Sequence, residues 1–127
     1  MGADYCSIGA MNNKARLIKY HAALNAFDLA AASKMFAEDA VYVSPGLKSS
    51  ILGRETIMLA IADYFAEYSD QVSVDDEVLE LDENRIQSLW TLNATSNKTG
   101  AKVQRRGTEI AMFNKDGLIT KIEVIDT

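Results

Sequence analysis

The chain is 127 residues long, which is enough for one domain with a single hydrophobic core and too short for two. It carries 13 Lys and Arg against 18 Asp and Glu, a formal net charge of -5 at pH 7. Such a chain has no field that attracts nucleic acid or an anionic membrane surface, so both partners are disfavoured.

The N-terminal stretch lacks the pattern of a regular element, and we predict a flexible tail over residues 1–11 followed by a single domain over residues 12–127. It has no basic start before an apolar block, and no apolar run approaches the roughly 18 residues of a membrane span. Cys6 is the only cysteine and cannot form an intramolecular disulfide. We therefore expect a cytoplasmic protein.

The first helix is predicted from two asparagines that can cap it and from the apolar stripe that follows. Asn12 or Asn13 supplies the cap, and the stripe residues recur at offsets of three, seven and ten positions. Tyr20 therefore lies on the buried side of this helix. The stripe consists of Leu17, Tyr20, Leu24 and Phe27.

A second, short helix and a strand come next. Asp28 can cap this helix, whose inward positions are Leu29, Ala32 and Phe36. Residues 40–44 then alternate as a strand before the turn at residues 45–46. After a polar loop, residues 54–68 carry apolar side chains at helical spacing and predict a third amphipathic helix. Its inward residues are Ile57, Ile61, Tyr64, Phe65 and Tyr68.

From Val72 onward the hydrophobic period becomes that of β-strands. Turn-forming residues at 82–84, 97–100 and 115–117 divide this part into four strands and indicate antiparallel hairpins. Helices followed by a meandering sheet are typical of an α+β domain with its helices packed on one face of the sheet.

Three segments resemble bacterial ketosteroid isomerases and SnoaL-like polyketide cyclases of the nuclear transport factor 2-like superfamily. They are KYHAALNAFDLAAASKMFAEDAVYVSPG, GRETI and EIAMFNKDGLITKIEVID, and the resemblance covers about residues 13 to 126. It implies a cone-shaped curved antiparallel sheet wrapped around a long N-terminal helix, with an apolar pocket at the open end and commonly a homodimer. The superfamily includes isomerases, cyclases, dehydratases, epoxide hydrolases and domains without catalysis, so the fold does not fix a reaction.

Tyr20 matches the tyrosine that donates a hydrogen bond to the developing enolate oxygen in ketosteroid isomerases. The alternative is an aromatic side chain that fills the core between helix and sheet. Glu109 falls where these isomerases place a protonated aspartic acid that donates to the same oxygen. The alternative for Glu109 is a structural salt bridge with a cation such as Arg105 or Arg106.

The general base of the ketosteroid isomerases has no counterpart in this sequence. The family places a carboxylate just before the proline that ends the first strand, and this chain has Ser44 there. A serine without a partner base does not shuttle protons near neutral pH. Asp126 loosely resembles the acid/base aspartate of the SnoaL-like cyclases. The alternative for Asp126 is a frayed, solvated terminus.

His21 is the only histidine, and the sequence predicts neither a metal site nor a cofactor. We interpret His21 as a surface or interface residue rather than a catalytic one. The acidic run Asp75-Asp76-Glu77 lacks the spacing of a calcium loop and is predicted to be a solvated strand face.

The predicted partner is a small hydrophobic molecule. The functional hypothesis is acid–base chemistry on a hydrophobic carbonyl compound, an isomerisation, cyclisation or dehydration through an enolate. Tyr20 and Glu109 would stabilise the oxyanion and Asp126 would be the base. The alternative is a ligand-binding or dimerisation module that has lost the family's base. The predicted pocket lining is Leu24, Ser44, Trp90, Leu92, Ala111, Phe113, Ile122 and Val124.

Overall fold

The computed structural model describes residues 12–44 and 50–127. The tail predicted over residues 1–11, with Cys6, and the turn predicted at residues 45–46 lie outside this range.

The described residues form three α-helices and six β-strands. The helices are α1 (Asn13–Asn25), α2 (Leu29–Ser33) and α3 (Arg54–Glu67). The strands are β1 (Phe36–Val43), β2 (Ile51–Leu52), β3 (Val72–Asp82), β4 (Arg85–Thr95), β5 (Lys102–Phe113) and β6 (Ile119–Asp126). No helix in this part of the chain combines the length and the apolar character needed to cross a membrane.

All six strands belong to one curved sheet with the order β2-β1-β6-β5-β4-β3. The three hairpins predicted after residue 72 are present, because β3 to β6 pair antiparallel in chain order. One neighbouring pair in this mainly antiparallel sheet is parallel, namely β1 with β6. Parallel neighbours need a crossover connection, and α3 with the β3–β5 meander provides it. The mixed α+β architecture is as predicted.

Helix α1 begins where the asparagine cap was predicted. The Asn12 side chain accepts a hydrogen bond from the Ala15 amide at 2.8 Å. Leu17 and Tyr20 are buried, whereas Phe27 lies past the end of the helix with a positive φ of 58°. The Phe27 ring therefore leaves the predicted stripe and stacks on Phe65 of α3, with ring centroids 4.8 Å apart.

Strand β1 begins four residues earlier than the prediction of a strand from residue 40. Helix α2 ends at Ser33, so Phe36 is the first residue of the strand and not an inward position of the helix. Phe36 pairs with Ile119 of β6 and is fully buried, with its ring edge against Tyr20 at 5.3 Å. Pairing with a distant strand thus overrides the local helical spacing.

The register of the sheet places side chains in rows on its inner face. One row joins Ser88, Glu109 and Val124 across β4, β5 and β6. The next row toward the start of β5 joins Trp90, Gly107 and Asp126, and the row after that contains Leu92 and Arg105. Helix α1 packs across this face against β3 and β4. These rows carry the side chains of the site described below.

Candidate functional site

A cavity of about 340 Å³ lies between the inner face of the sheet and helices α1 and α3. This volume is within the range of small-molecule sites in proteins. Its walls are mainly apolar, and its polar residues come from five elements and their ends. The polar and tyrosine residues that line it are Tyr20, His21, Tyr42, Ser44, Tyr64, Gln71, Ser73, Arg105 and Glu109.

Five of the residues predicted to line a pocket do line this cavity: Leu24, Ser44, Trp90, Leu92 and Val124. The other three are buried in the core and do not reach it. They share the inner face, but they lie after Glu109 on β5 and before Val124 on β6, in the part of the sheet where Phe36 and Ile119 are also buried. These three residues are Ala111, Phe113 and Ile122.

His21 bridges two acidic residues that come from different strands. Its Nδ1 atom lies 2.8 Å from Asp75 Oδ1 on β3, and its Nε2 atom is hydrogen-bonded to Glu109 Oε1 on β5. The hydroxyl of the fully buried Ser88 donates to Asp75 Oδ1 at 2.7 Å. We call Asp75, His21 and Glu109 the acid–imidazole cluster.

The two carboxylates keep the imidazole of His21 protonated. Burial by itself lowers the pKa of His21, but the charges and hydrogen bonds of Glu109 and Asp75 outweigh it and raise this pKa to about 10. The imidazolium then donates from both ring nitrogens, so both acidic groups accept as carboxylates. For Asp75, burial raises the pKa, while the hydrogen bonds from His21 and Ser88 lower it further than burial raises it.

Two predictions about these residues were wrong. His21 is not at the surface, because only 14% of its side chain is exposed. Asp75 is not part of a solvated face, since it pairs with the inward Trp90 of β4 and lies on the inner side of β3 against His21. Glu109 is indeed paired, but its partner is His21 and not Arg105 or Arg106.

Two tyrosine hydroxyls lie close to the acid–imidazole cluster. Tyr20 on α1 and Tyr42 on β1 both line the cavity. Burial raises the pKa of each hydroxyl, and the negative charge of Glu109 raises both further. Each hydroxyl therefore stays protonated near neutral pH and is able to donate a hydrogen bond. Tyr20 also contacts the His21 ring, with centroids 5.5 Å apart.

Asp126 does not line the cavity. It accepts two hydrogen bonds from the Arg105 guanidinium, from Nε and Nη2, both at 2.9 Å, and 42% of its side chain is exposed. Arg105 lines the cavity, lies over the Trp90 ring at 5.7 Å and donates to the Tyr64 hydroxyl at 3.4 Å. The structure therefore brings Tyr20 and Glu109 together and leaves Asp126 at the edge of the site.

Sequence reasoning missed Tyr42 and Asp75 as residues of this site, and it gave no site role to four residues that line the cavity: His21, Tyr64, Gln71 and Ser73. Tyr42 alternates in phase with Ala40 and Ser44, and this phase was the signal that pointed it inward. Asp75 carried no such signal, because its role depends on contact with a helix 54 positions earlier in the chain. Ser44 lines the cavity. Within residues 12–44 and 50–127, no three His, Cys, Asp or Glu side chains are grouped to hold a metal ion.

The sequence model of the SnoaL-like domain matches residues 17–122. The chain therefore belongs to the SnoaL-like domain family. Comparison with curated protein sequences finds no match.

Solved structures with the same fold are similar to this chain at low sequence identity. An NTF2-like protein of unknown function from Exiguobacterium sp. 255-15 has a TM-score of 0.78 and 17% identity over 88% of this chain and 98% of that one. RV0760c from Mycobacterium tuberculosis, solved with estradiol-17beta-hemisuccinate, has a TM-score of 0.77 and 20% identity over 86% and 88% of the two chains. The epoxide hydrolase/cyclase-like enzyme SalBIII, with a role in pyran ring formation in salinomycin, has a TM-score of 0.80 and 16% identity over 91% and 90%.

Proposed function

We propose that this protein binds a small, largely apolar carbonyl compound and transfers a proton on it through an enolate. The observation that carries this proposal is Glu109, a carboxylate on an apolar cavity, held by the buried imidazolium of His21 beside two tyrosine hydroxyls. The reaction class is an isomerisation, cyclisation or dehydration. Solved relatives include one with a bound estradiol derivative and one with a role in ring formation, which is consistent with this class.

Glu109 is the general base of the proposed reaction. Its carboxylate accepts a proton from the carbon next to the ligand carbonyl, and the electron pair of that C–H bond becomes the C=C bond of an enolate. The carbonyl π electrons move to oxygen. Returning the proton to another carbon completes an isomerisation, and giving it to a leaving hydroxyl completes a dehydration as water. In a cyclisation, the enolate carbon attacks a second carbonyl, whose oxygen then receives the proton.

The tyrosines stabilise the charge that develops on the enolate oxygen. Both hydroxyls have raised pKa values because they are buried and near Glu109, so Tyr20 and Tyr42 remain neutral donors. Preformed donors in a cavity that excludes water stabilise an oxyanion more strongly than water does. In this proposal Glu109 is the general base, because Ser44 cannot serve as one. Tyr42 then donates to the oxyanion in place of Glu109, for which the sequence had predicted that role.

Asp75 and His21 position the base. Asp75 fixes the imidazole through Nδ1, and the ring in turn fixes one oxygen of Glu109 through Nε2. The Ser88 hydroxyl fixes Asp75 from the opposite side. Neither Asp75 nor Ser88 lines the cavity. This chain of contacts holds the carboxylate at one place on the cavity wall, which a proton transfer requires.

Solvent deuterium exchange into small enolisable ketones tests this function. Wild-type protein should catalyse exchange, and Glu109→Gln should reduce the rate about a hundredfold or more, in line with the usual contribution of a positioned general base. Tyr20→Phe should reduce it less, because Tyr42 remains. Glu123→Gln is the matched control, since this exposed glutamate of β6 pairs with Lys121 and lies outside the cavity. Equal exchange by the wild type, Glu109→Gln and Glu123→Gln would remove Glu109 from the mechanism.

The second candidate is a ligand-binding module without catalysis. Ser44 in place of the family's carboxylate favours it, because the cavity then binds an apolar molecule without the usual base. Tight binding of a ketone together with no exchange above the buffer rate would support this candidate and contradict the catalytic one.

We also infer that the protein forms a homodimer through the outer face of its sheet. Large apolar side chains on that face are more than 40% exposed, which is unusual for a monomer that buries its apolar surface efficiently. They are Val72, Val74 and Ile125. Sedimentation equilibrium should give twice the 13.9 kDa chain mass, and Val74→Lys should shift it to the monomer mass.

A further inference from the structure

The cavity has a second polar region, separate from the acid–imidazole cluster. Glu109 and Arg105 lie on the same face of β5, four residues apart, which corresponds to about 13 Å along a strand. Both residues line the cavity. The acid–imidazole cluster therefore occupies one end of an elongated site, and Arg105 occupies the other.

Gly107 lies between these two ends and lets an aromatic ring form the floor. A Cβ atom at this position would lie 2.6 Å from Trp90 Cζ2 and 2.3 Å from the Ile125 carbonyl oxygen. Only glycine allows the Trp90 indole to lie this close to β5. The floor between the two polar ends is thus apolar and suits the hydrocarbon part of a ligand.

Gln71 is the most buried polar side chain at the distal end. It is 4% exposed and lines the cavity, and its side-chain amide forms no hydrogen bond with another described residue. No enclosed side-chain nitrogen or oxygen atom among the described residues lacks a hydrogen-bond partner, so the unpartnered amide of Gln71 faces the open space of the cavity, where a ligand oxygen can reach it. Ser73 lines the cavity near Gln71, and its backbone is fixed by two hydrogen bonds with the Asn25 side chain.

Some N–H donors of Arg105 at this end of the cavity have no partner among the described residues. A guanidinium carries five N–H groups. Two of those on Arg105 bind Asp126 and one reaches Tyr64, which leaves one on each terminal nitrogen without a partner among the described residues. Asp126 neutralises the charge of Arg105, so the free donors suit a neutral oxygen better than an anion.

We propose that Gln71 and Arg105 form a second subsite, which binds a carbonyl or hydroxyl oxygen at the far end of the ligand. The preferred ligand is then an elongated apolar molecule with an oxygen function at each end, one at Glu109 and Tyr20 and the other at Gln71 and Arg105. This inference rests on the proposed function for the orientation of the ligand, and binding alone tests it.

Fluorescence of Trp90, the only tryptophan, reports binding to the cavity directly. The probes are dodecane-2,11-dione and dodecan-2-one, which have the same chain length and differ by one carbonyl. The more hydrophobic monoketone should bind better by apolar transfer alone. With the distal subsite present, the wild-type protein should instead bind the diketone between about threefold and tenfold more tightly, the range of one or two net hydrogen bonds.

Gln71→Met and Arg105→Met should each reduce the ratio of diketone affinity to monoketone affinity to about one or below. Gln104→Met is the matched control, because Gln104 lies on the opposite face of β5 and bonds to Asn93. It should keep the wild-type ratio. If Gln71→Met does not fold, Gln71→Asn replaces it, since the shorter side chain withdraws the amide from the subsite.

A ratio at or below one in the wild type, or a preference that survives both substitutions, would overturn the subsite. The result is distinguishable from failure of the proposed function. A diketone preference that depends on Gln71, without any deuterium exchange, would support the subsite and contradict catalysis. Absence of binding by both ketones would contradict both proposals.

Discussion

Asp75 on the edge strand β3 contacts His21 on helix α1, with Asp75 Oδ1 2.8 Å from His21 Nδ1. The contact orients the imidazole so that Nε2 meets Glu109. A residue on an edge strand therefore determines the position of the carboxylate on a central strand. Because His21 bears the only positive charge between the two carboxylates of the cluster, both the stability of the fold and the state of the base depend on it.

Replacement of His21 should destabilise the protein. His21→Gln leaves Asp75 and Glu109 facing each other without a cation, and only about 10% of the Glu109 side chain is exposed. We expect the free energy of unfolding in urea at pH 7 to fall by about 3 kcal/mol, as for other broken buried pairs. Adding Asp75→Asn to His21→Gln should recover part of this loss, because it removes one of the two like charges. A loss below about 0.5 kcal/mol, the usual size for surface substitutions, would contradict the placement of His21.

The pH dependence of the free energy of unfolding should reflect the titration of His21. The pKa of His21 is about 10 in the folded protein and should be near its ordinary value of about 6.5 when unfolded. A raised folded pKa gives stability that is fully present below about pH 6.5 and is lost as the pH rises through about 10. The free energy of unfolding should therefore fall by a few kcal/mol between pH 6 and 9.5. His21→Gln should be much flatter over this window, and parallel curves for the two proteins would refute the linkage.

Asp75 should contribute to the pH dependence of stability in the opposite direction, with a loss of stability at acid pH. Its pKa is lowered in the folded protein by the hydrogen bonds from His21 and Ser88, which outweigh burial. A lowered pKa gives stability that is present above the ordinary value of about 3.9 and is lost as the pH falls through the folded value. Asp75→Asn should therefore lose less stability than the wild type on acidification, as measured by urea unfolding at pH 5 and pH 3. Asp76→Asn provides the matched control, since Asp76 bonds only to the exposed Thr91 hydroxyl.

Gly107 should not tolerate even one added methyl group. The Cβ of Gly107→Ala would lie 2.3 Å from the Ile125 carbonyl oxygen, which belongs to the backbone of the paired strand and cannot rotate away. We expect a loss of about 1 to 3 kcal/mol, as for other overpacked sites, and a shifted emission maximum of Trp90. Gly100→Ala is a poor control because Gly100 has a φ of 75°. Thr108→Val, on the opposite face of β5, is a better one and should leave the emission unchanged.

Asp126 should prove dispensable for proton transfer. In Asp126→Asn the amide oxygen still accepts from Arg105, so the cavity keeps its shape while the carboxylate is lost. The deuterium exchange rate should remain within about threefold of the wild-type rate, whereas loss of a true general base costs about a hundredfold or more. A collapse of exchange in Asp126→Asn with retained exchange in Glu109→Gln would instead make Asp126 the base.

The elements that could be predicted from the sequence are those fixed by local signals. The turn residues at 82–84, 97–100 and 115–117 determine the hairpins, and the helical spacing of Leu17 and Tyr20 determines the buried face of α1. The start of β1 was not predictable in this way. Phe36 continues the helical spacing of α2, and only its pairing with Ile119 makes it a strand residue.

The candidate site depended on contacts that no local pattern reveals. Tyr20 and Glu109 were recognised individually, through resemblance and through the phase of β5. Their connection through His21 requires the register of α1 against β3 and β5, which joins residues 54 and 88 positions apart. No second histidine and no clustered cysteines accompany His21 in the sequence, so no local pattern indicated its two acidic partners, and the prediction of a surface or interface residue failed for that reason.

The most direct test of the acid–imidazole cluster is an NMR titration of the single histidine. Because the chain contains only His21, the imidazole Cε1–Hε1 signal needs no assignment among several residues. We predict that the ring stays protonated at pH 8 and titrates with a pKa of about 10 in the wild type, and with a lower pKa in Asp75→Asn and Glu109→Gln. A wild-type ring that titrates near its ordinary pKa of about 6.5 would contradict the cluster and the function built on it.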